Sequence, residues 1–349
     1  MSTTDTELDA AEPPVIDDGL ELTRARLANV GEMTVRRLLP LRLRRSVGAW
    51  CFADHYGPLS VDGVSGMAVP PHPHIGLQTV TWLMAGNVLH RDSLGSEQMI
   101  RPGQLNLMTA GRGIAHAEES PAEHDPQLHG VQLWLALPEA SRLATPDFEH
   151  HAALPRTRAG DLDITVFIGT LADARSPATT FSDLVGAQIT ARRATGAAIP
   201  LAPSFEHVIF VTDGAASISG AADGAAADGA ASIGGAAGEA GTGGGAAAGE
   251  ATAGGAAAGT ALRPGSMLYL APGRDEVQVS AASGTSMLLL GGTPLGEPLL
   301  MWWNFVARTP QEIEAAVADW ANGRFGQVAG AGEPLAAPPL DVARLRRTR

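Results

Sequence analysis

The sequence predicts an all-β fold, sandwich or barrel, built as two compact units. Three observations predict it. Short runs rich in β-branched and aromatic residues recur along the chain, among them Thr79-Val80-Thr81-Trp82-Leu83-Met84 and Glu206-His207-Val208-Ile209-Phe210-Val211. Gly and Pro turns such as Ala85-Gly86-Asn87 and Arg101-Pro102-Gly103 separate them, which is the punctuation of antiparallel sheets. No convincing helical periodicity occurs before residue 310. The length, 349 residues less a low-complexity tract, leaves room for two such units.

Residues 1–25 mix Thr, Asp, Glu, Ala and Pro with little hydrophobic periodicity and predict a disordered arm. Strand patterns begin at Met33 and run to Leu39, then resume in Trp50-Cys51-Phe52-Ala53. Arg36, Arg37, Arg42, Arg44 and Arg45 are interleaved with leucines and predict one basic sheet face. Asp54-His55-Tyr56-Gly57-Pro58 predicts a turn, with His55 a hydrogen-bonded loop residue. A strand follows over His72 to Trp82, then a shorter one over Val88 to Asp92 that runs into a turn at Gly95. Ile100 to Gln104 is a tight turn with Pro102 fixing one φ, and Leu105 to Met108 lead to a bend at Gly111-Arg112-Gly113. Val131 to Leu137 alternates as a strand that Pro138 closes. His124, His129, His150 and His151 stand in polar or loop surroundings that predict exposure.

Ile164 to Ile168 and Ala187 to Ala191 open a second set of short strands. Residues 213–260 are almost wholly Ala, Gly, Ser and Thr, with too little bulky apolar surface to offset the entropy of ordering them. They predict a disordered insert between the strands Glu206 to Val211 and Met267 to Leu270. Thr309-Pro310-Gln311-Glu312 is a capping box with proline at the first helical position, and Ile313, Ala316, Val317 and Trp320 recur at helical spacing until Gly323. The units are thus placed at 26–145 and 146–328, with 329–349 as a flexible tail.

The net charge of −13, without an offsetting basic stripe, argues against a nucleic-acid partner. Cys51 is the sole cysteine, so no intrachain disulfide forms. The acidic N-terminus lacks the basic and apolar runs of a secretory signal, and no apolar segment is long enough to span a bilayer. These features predict a cytoplasmic protein with no membrane partner.

The chemistry concentrates in two stretches. In an extended strand alternate side chains share a face, so His72 pairs with His74, and His116 with Glu118. An isolated His-x-His pair is more often two polar residues on the wet face of an edge strand. Two such pairs about forty residues apart are a stronger signal: if their strands lie side by side, three imidazoles and a carboxylate converge as a first shell for iron, manganese, nickel or zinc. On a metal that prefers six ligands, two positions then remain for substrate or dioxygen. His90 and Asp92 also sit two apart, but Arg91 and the turn at Gly95 place them near a sheet edge, where orienting a ligand or stabilising a turn suits them better. Ile75, Leu77, Leu107, Met108 and Ile114 are candidates for a dry pocket wall or for core. The second unit has no His-x-His, and neighbours Glu206 and His207 face opposite ways on a strand, so a second metal site is not expected.

These residues resemble the pirin family of the cupin superfamily. The resemblance is carried by His72-Pro73-His74 with Thr79-Val80-Thr81, His90-Arg91-Asp92-Ser93-Leu94-Gly95, Pro102-Gly103, and Met108-Thr109-Ala110-Gly111-Arg112-Gly113-Ile114 leading to His116-Ala117-Glu118. Gly296-Glu297-Pro298 and Asn322-Gly323-Arg324-Phe325-Gly326 are similar to that family's C-terminal signature. The resemblance implies a bicupin: two cupin-type β-barrels with a short C-terminal helix, and one Fe2+ or other divalent transition metal in the N-terminal barrel. The implied ligands are His72, His74, His116 and Glu118. Two activities follow from it: quercetin 2,3-dioxygenase-like opening of flavonol or phenolic substrates by dioxygen, with Glu118 as proton acceptor, or non-catalytic, iron-dependent regulatory binding to a protein partner. Gln78 stands where many cupins place a glutamate ligand, and the Ala/Gly insert is a second departure.

Overall fold

The computed structural model describes residues 15–17, 20–31, 33–61, 66–220 and 259–345. Among these, a seven-stranded antiparallel sheet runs in the order Asp147–His151, Leu105–Thr109, Leu77–Ala85, Gln127–Ala136, Trp50–Ser60, Met33–Leu39, Arg26–Val30. Facing it, Ala68–His74, Ile114–Glu119, Val88–Asp92 and Glu97–Ile100 form a four-stranded sheet, and the two close the first barrel. The second barrel pairs a nine-stranded sheet, centred on Leu184–Ala191, Thr285–Gly292 and Glu206–Asp213, with a four-stranded one, Thr195–Pro200, Glu276–Ala281, Ala216–Gly220 and Thr260–Leu262. The architecture is the all-β bicupin expected.

Period-two alternation along Leu77–Ala85 explains how the barrels join. Val80 and Trp82 point outward into a shared core with Leu105, Leu133, Phe167, Phe210 and Leu288. Trp82 stacks on Phe167 with ring centroids 4.9 Å apart and donates its Nε1–H to Gln188 Oε1 at 3.0 Å. Trp50 donates across the same interface to the carbonyl of Gly291 at 3.1 Å. Each large side chain buried here contributes about 1.5–3 kcal/mol.

The His72 to Trp82 run is two strands rather than one. Gly76 adopts φ +69°, and a Cβ there would collide with the carbonyl of Val306, so only glycine fits the corner. Ala68–His74 enters the four-stranded sheet and Leu77–Ala85 the seven-stranded one. This corner separates the ligand-bearing strand from the strand that builds the barrel interface.

Several expectations are corrected. Of the arm predicted over 1–25, Val15–Asp17 and Leu20–Arg24 are strand, and the latter pairs with Ser266–Leu270 of the second barrel, while residues 1–14, 18 and 19 lie outside the described ones. Leu20 and Leu22 supply the apolar contacts that composition averaged over 25 residues conceals. The basic cluster is not one face. Arg37 is buried in a bidentate pair with Asp54, 2.7 Å to each oxygen, while Arg44 lies beyond the strand, paired with Glu21 at 2.7 Å and stacked on Tyr269. Asp54 to Pro58 lie inside Trp50–Ser60, where sheet partners on both sides override the turn propensity, and the register shift opposite His129 absorbs Gly57-Pro58. His55 is a buried strand residue, its Nε2 2.9 Å from that of His129. His129 is buried too, and His124, His150 and His151 are half-buried. The predicted insert is strand over Ala216–Gly220 and at Thr260, which lies in Thr260–Leu262; residues 221–258 lie outside the described ones.

The helix forms over Pro310–Ala321 with Thr309 as its cap, accepting the Glu312 N–H at 3.3 Å, and buries Ile313 and Ala316. The segment expected as a flexible tail is docked through residue 345. Leu335 donates its N–H to the carbonyl of Pro71 at 2.8 Å, Trp320 Nε1 donates to the carbonyl of Leu335 at 2.8 Å, and Leu345 is buried beside Ile313 and Phe305. Sparse apolar anchors, rather than average composition, hold it. Cys51 is buried, and burial pushes its thiol up to about 12, which leaves it inert at neutral pH. No helix among the described residues is long and apolar enough to cross a membrane.

Candidate metal centre

Ala68–His74 and Ile114–Glu119 run antiparallel, with His116 directly opposite His72 and Ile114 opposite His74. Alternation turns His72, His74 and His116 inward together. Their ring centroids lie 4.4 to 5.0 Å apart, and one nitrogen of each lies within 4.8 Å of the others. The register shifts between His116 and Glu118, but the extra residue lies on Ala68–His74, at Pro70-Pro71; Ile114–Glu119 stays regular against Val88–Asp92, so Glu118 keeps the phase of His116. Glu118 falls within the same reach of His116 and His90, and it lines one cavity with the three predicted histidines.

Backbone carbonyls orient two of the rings. His72 Nδ1 lies 2.9 Å from the carbonyl of Pro70, and His74 Nδ1 lies 3.0 Å from that of Asn304. A carbonyl can only accept, so both nitrogens carry the proton and both Nε2 atoms are left with a bare lone pair. His74 Nε2 is 3.1 Å from His116 Nε2. Burial pushes His72 down to about 4, and pushes His74 and His116 well below the usual histidine value, so all three are neutral at pH 7. Burial acts in the opposite sense on Glu118 and raises its carboxyl, although Thr81 Oγ1 donates to Oε1 at 2.6 Å. Three neutral nitrogen donors close to one another, with a buried carboxylate lining the same cavity, could hold a divalent transition metal.

The cavity is small, about 40 Å³. Val30, Met33, Val35, Met67 and Val69 form its apolar walls, and Asp54, Tyr56, Gln132 and Trp134 complete it. Trp134 stands edge-on to His74 with centroids 5.1 Å apart and stacks on Phe52 at 4.0 Å. The apolar candidates from the sequence are elsewhere. Leu107 belongs to the core between the barrels, Leu77, Met108 and Ile114 to another cluster, and Ile75 packs by Phe305. Gln78 has the outward phase of its strand, and its Nε2 donates to Thr109 Oγ1 at 3.0 Å and to the carbonyl of Thr179 at 3.2 Å.

His90 and Asp92 are not at a sheet edge, because Val88–Asp92 is flanked by Ile114–Glu119 and Glu97–Ile100. Both are buried. Asp92 does stabilise the following turn, its Oδ1 accepting the N–H groups of Leu94 at 2.9 Å and Ser96 at 3.0 Å. Thr81, Asn304, Asp54, Tyr56 and Trp134 are site neighbours that sequence reasoning passed over. Thr81 was within reach, since its strand phase opposes the outward Val80 and Trp82. Nothing local marks Asn304, which contributes only a main-chain oxygen.

Two facing-sheet barrels with a buried His and Glu cluster in the first define a bicupin able to hold one metal ion. The Pirin family model matches residues 32–135, and the Pirin C-terminal cupin domain model matches residues 246–326. A Pseudomonas aeruginosa protein named "Putative quercetin 2,3-dioxygenase" is 40% identical over 326 residues, covering 92% of this chain and 90% of its own. A Pirin-like protein of Caulobacter vibrioides is 33% identical over 308 residues, covering 86% of this chain and 92% of its own. Among solved structures, a quercetin 2,3-dioxygenase from Acinetobacter baumannii superposes with a TM-score of 0.79 at 37% identity, covering 92% of this chain and 96% of that one. The chain belongs to the pirin family.

Proposed function

We propose that this protein is a non-haem iron dioxygenase acting on flavonol or other phenolic substrates, with His72, His74, His116 and Glu118 holding a single Fe2+ ion. The observation that carries the reading is the commitment of His72 and His74 Nδ1 to carbonyls, which leaves two bare Nε2 lone pairs close to His116 in the cavity that Glu118 also lines. Bound there, ferrous iron would supply Lewis acidity toward a phenolate and redox capacity toward dioxygen. The chain's own residues do the rest. Glu118, whose carboxyl burial raises, accepts the substrate's hydroxyl proton at a carboxylate oxygen, and Thr81 holds that carboxylate in place. Val30, Met33, Val35 and the Trp134 ring offer the apolar faces an aromatic substrate needs and keep water out, while Gln132 and Asp54 present polar atoms to its remaining hydroxyls.

The names borne by the Pseudomonas relative and the Acinetobacter structure support the substrate class. The lone cysteine, a buried free thiol, suits action in the reducing cytoplasm. The test is oxygen uptake by iron-loaded protein mixed with quercetin and a small flavonol panel under air. Uptake above the rate of a His74→Ala variant supports the dioxygenase. No uptake with iron confirmed at the site favours instead an iron-dependent binding protein whose partner is another protein.

A further inference from the structure

We propose that Asp92 and His90 form a hydrogen-bonded chain that fixes the tautomer of His116, and so decides whether the three imidazoles accept a cation or close on one another. The inference rests on the metal-site reading above and deepens it.

His74 Nε2 and His116 Nε2 lie in contact at 3.1 Å. His74 has already committed its proton to Nδ1, through the carbonyl of Asn304. A neutral His116 has two choices. With its proton on Nε2 it donates to His74, and the pair is satisfied without any ion. With its proton on Nδ1, two lone pairs face each other at 3.1 Å, an arrangement that a cation between them relieves. One ring's tautomer is therefore the switch between an open and a closed site.

The other side of that ring sets the tautomer. His116 Nδ1 lies 3.4 Å from His90 Nδ1, so one of those two atoms must donate and the other accept. His90 Nε2 lies 3.2 Å from Asp92 Oδ2. The Asp92 carboxylate is pinned by the Leu94 and Ser96 N–H groups on Oδ1, and Phe148 stacks on the His90 ring with centroids 4.4 Å apart and planes 16° from parallel. A carboxylate only accepts, so His90 carries a proton on Nε2, and the neutral ring then presents a bare Nδ1. That atom accepts the His116 Nδ1–H, and His116 Nε2 is left bare, facing the cavity. Orientation of a metal-binding histidine through its second nitrogen is a general device. Here it passes through two residues, and each link is fixed by the one before it.

Asp92→Asn tests the direction of the chain. The amide oxygen can still accept from Leu94 and Ser96, which leaves an NH2 facing His90 Nε2. The donors then invert along the whole chain, and His116 takes its proton on Nε2. In the metal-free protein, ring 15N spectra should show His116 as the Nδ1–H form in the wild type and as the Nε2–H form in Asp92→Asn. Affinity for Fe2+, read anaerobically by chelator competition, should fall by roughly 10- to 100-fold. His90→Phe, which removes the acceptor, should show a similar loss. His90→Asn, which keeps a carbonyl oxygen near the position of Nδ1, should recover most of it. If Asp92→Asn does not fold, the His90→Phe and His90→Asn pair carries the test. A wild-type His116 protonated on Nε2, or variants whose spectra and Fe2+ affinity match the wild type, would overturn the proposal. The spectra are taken without metal, so a wild type that binds no Fe2+ overturns the metal-site reading while the tautomer result still decides the chain.

Discussion

The Nδ1–H of His74 donates to the main-chain carbonyl of Asn304, 3.0 Å away and 230 positions later in the sequence. A candidate ligand in the first barrel is thus oriented by the hairpin Leu300–Trp302 and Phe305–Ala307, which lies beyond the last strand of the second barrel. Trp303 sits in the left-handed region at φ +52°, a conformation costly for a side chain that large, and Phe305, fully buried, anchors the turn. Phe305→Ala should lower stability by about 3–5 kcal/mol. It should also weaken Fe2+ binding by roughly tenfold, because the Asn304 oxygen shifts with the turn. Urea unfolding and chelator competition check the two effects; stability loss with unchanged affinity would show that the hairpin does not orient the ligand.

Thr81 supplies the hydrogen bond that Glu118 Oε1 accepts at 2.6 Å. Thr81→Val keeps the shape and removes the donor, whereas Thr81→Ser keeps the donor. The valine variant should bind Fe2+ roughly tenfold more weakly and the serine variant within a few-fold of wild type. Equal affinities for the two would remove Thr81 from the site.

His74→Ala should lose nearly all bound metal while the protein stays folded. The second barrel's core, built from residues such as Ile164, Val211, Leu268 and Val279, shares no side chain with the ligand set. Metal analysis alongside circular dichroism reads both halves of the expectation. A variant that retains one ion per chain would place the ion elsewhere.

His207 gives a pH dependence with a defined sign. It is buried, both ring nitrogens lack a hydrogen-bond partner among the described residues, and burial lowers it from 6.5 to about 4. Below pH 6.5 the unfolded imidazole takes up a proton that the folded one refuses, so stability falls as the pH drops toward 4 and is unaffected by this group above 6.5. The loss from this residue is on the order of 3 kcal/mol over that window. His207→Leu, an apolar side chain of similar size, should lose less stability than wild type between pH 7 and pH 4.5 in urea titrations. Parallel losses would mean that His207 is solvated in the folded protein.

Much of the site was legible because strand alternation is a local rule. His72 with His74, and His116 with Glu118, needed only a period of two and an antiparallel neighbour to meet at one cavity. The misplaced residues failed for non-local reasons. His55 and His129 looked like polar loop residues, yet sheet pairing brings them together from 74 positions apart. Of the residues offered as pocket wall or core, Leu107 faces the second barrel, Ile75 packs by Phe305, and Leu77, Met108 and Ile114, although in phase with the site, pack with Trp134 as core.

By itself the sequence determined the strand content, the capped helix at Thr309, the presence of two β units and the four side chains offered to a metal, since all of these follow from short-range periodicity and residue chemistry. Only the tertiary structure decided how those side chains are held. The carbonyl of Asn304, the hydroxyl of Thr81 and the Asp92–His90 pair reach the site through sheet pairing and chain crossing, whose outcome depends on distant segments packing together and leaves no periodic trace along the chain.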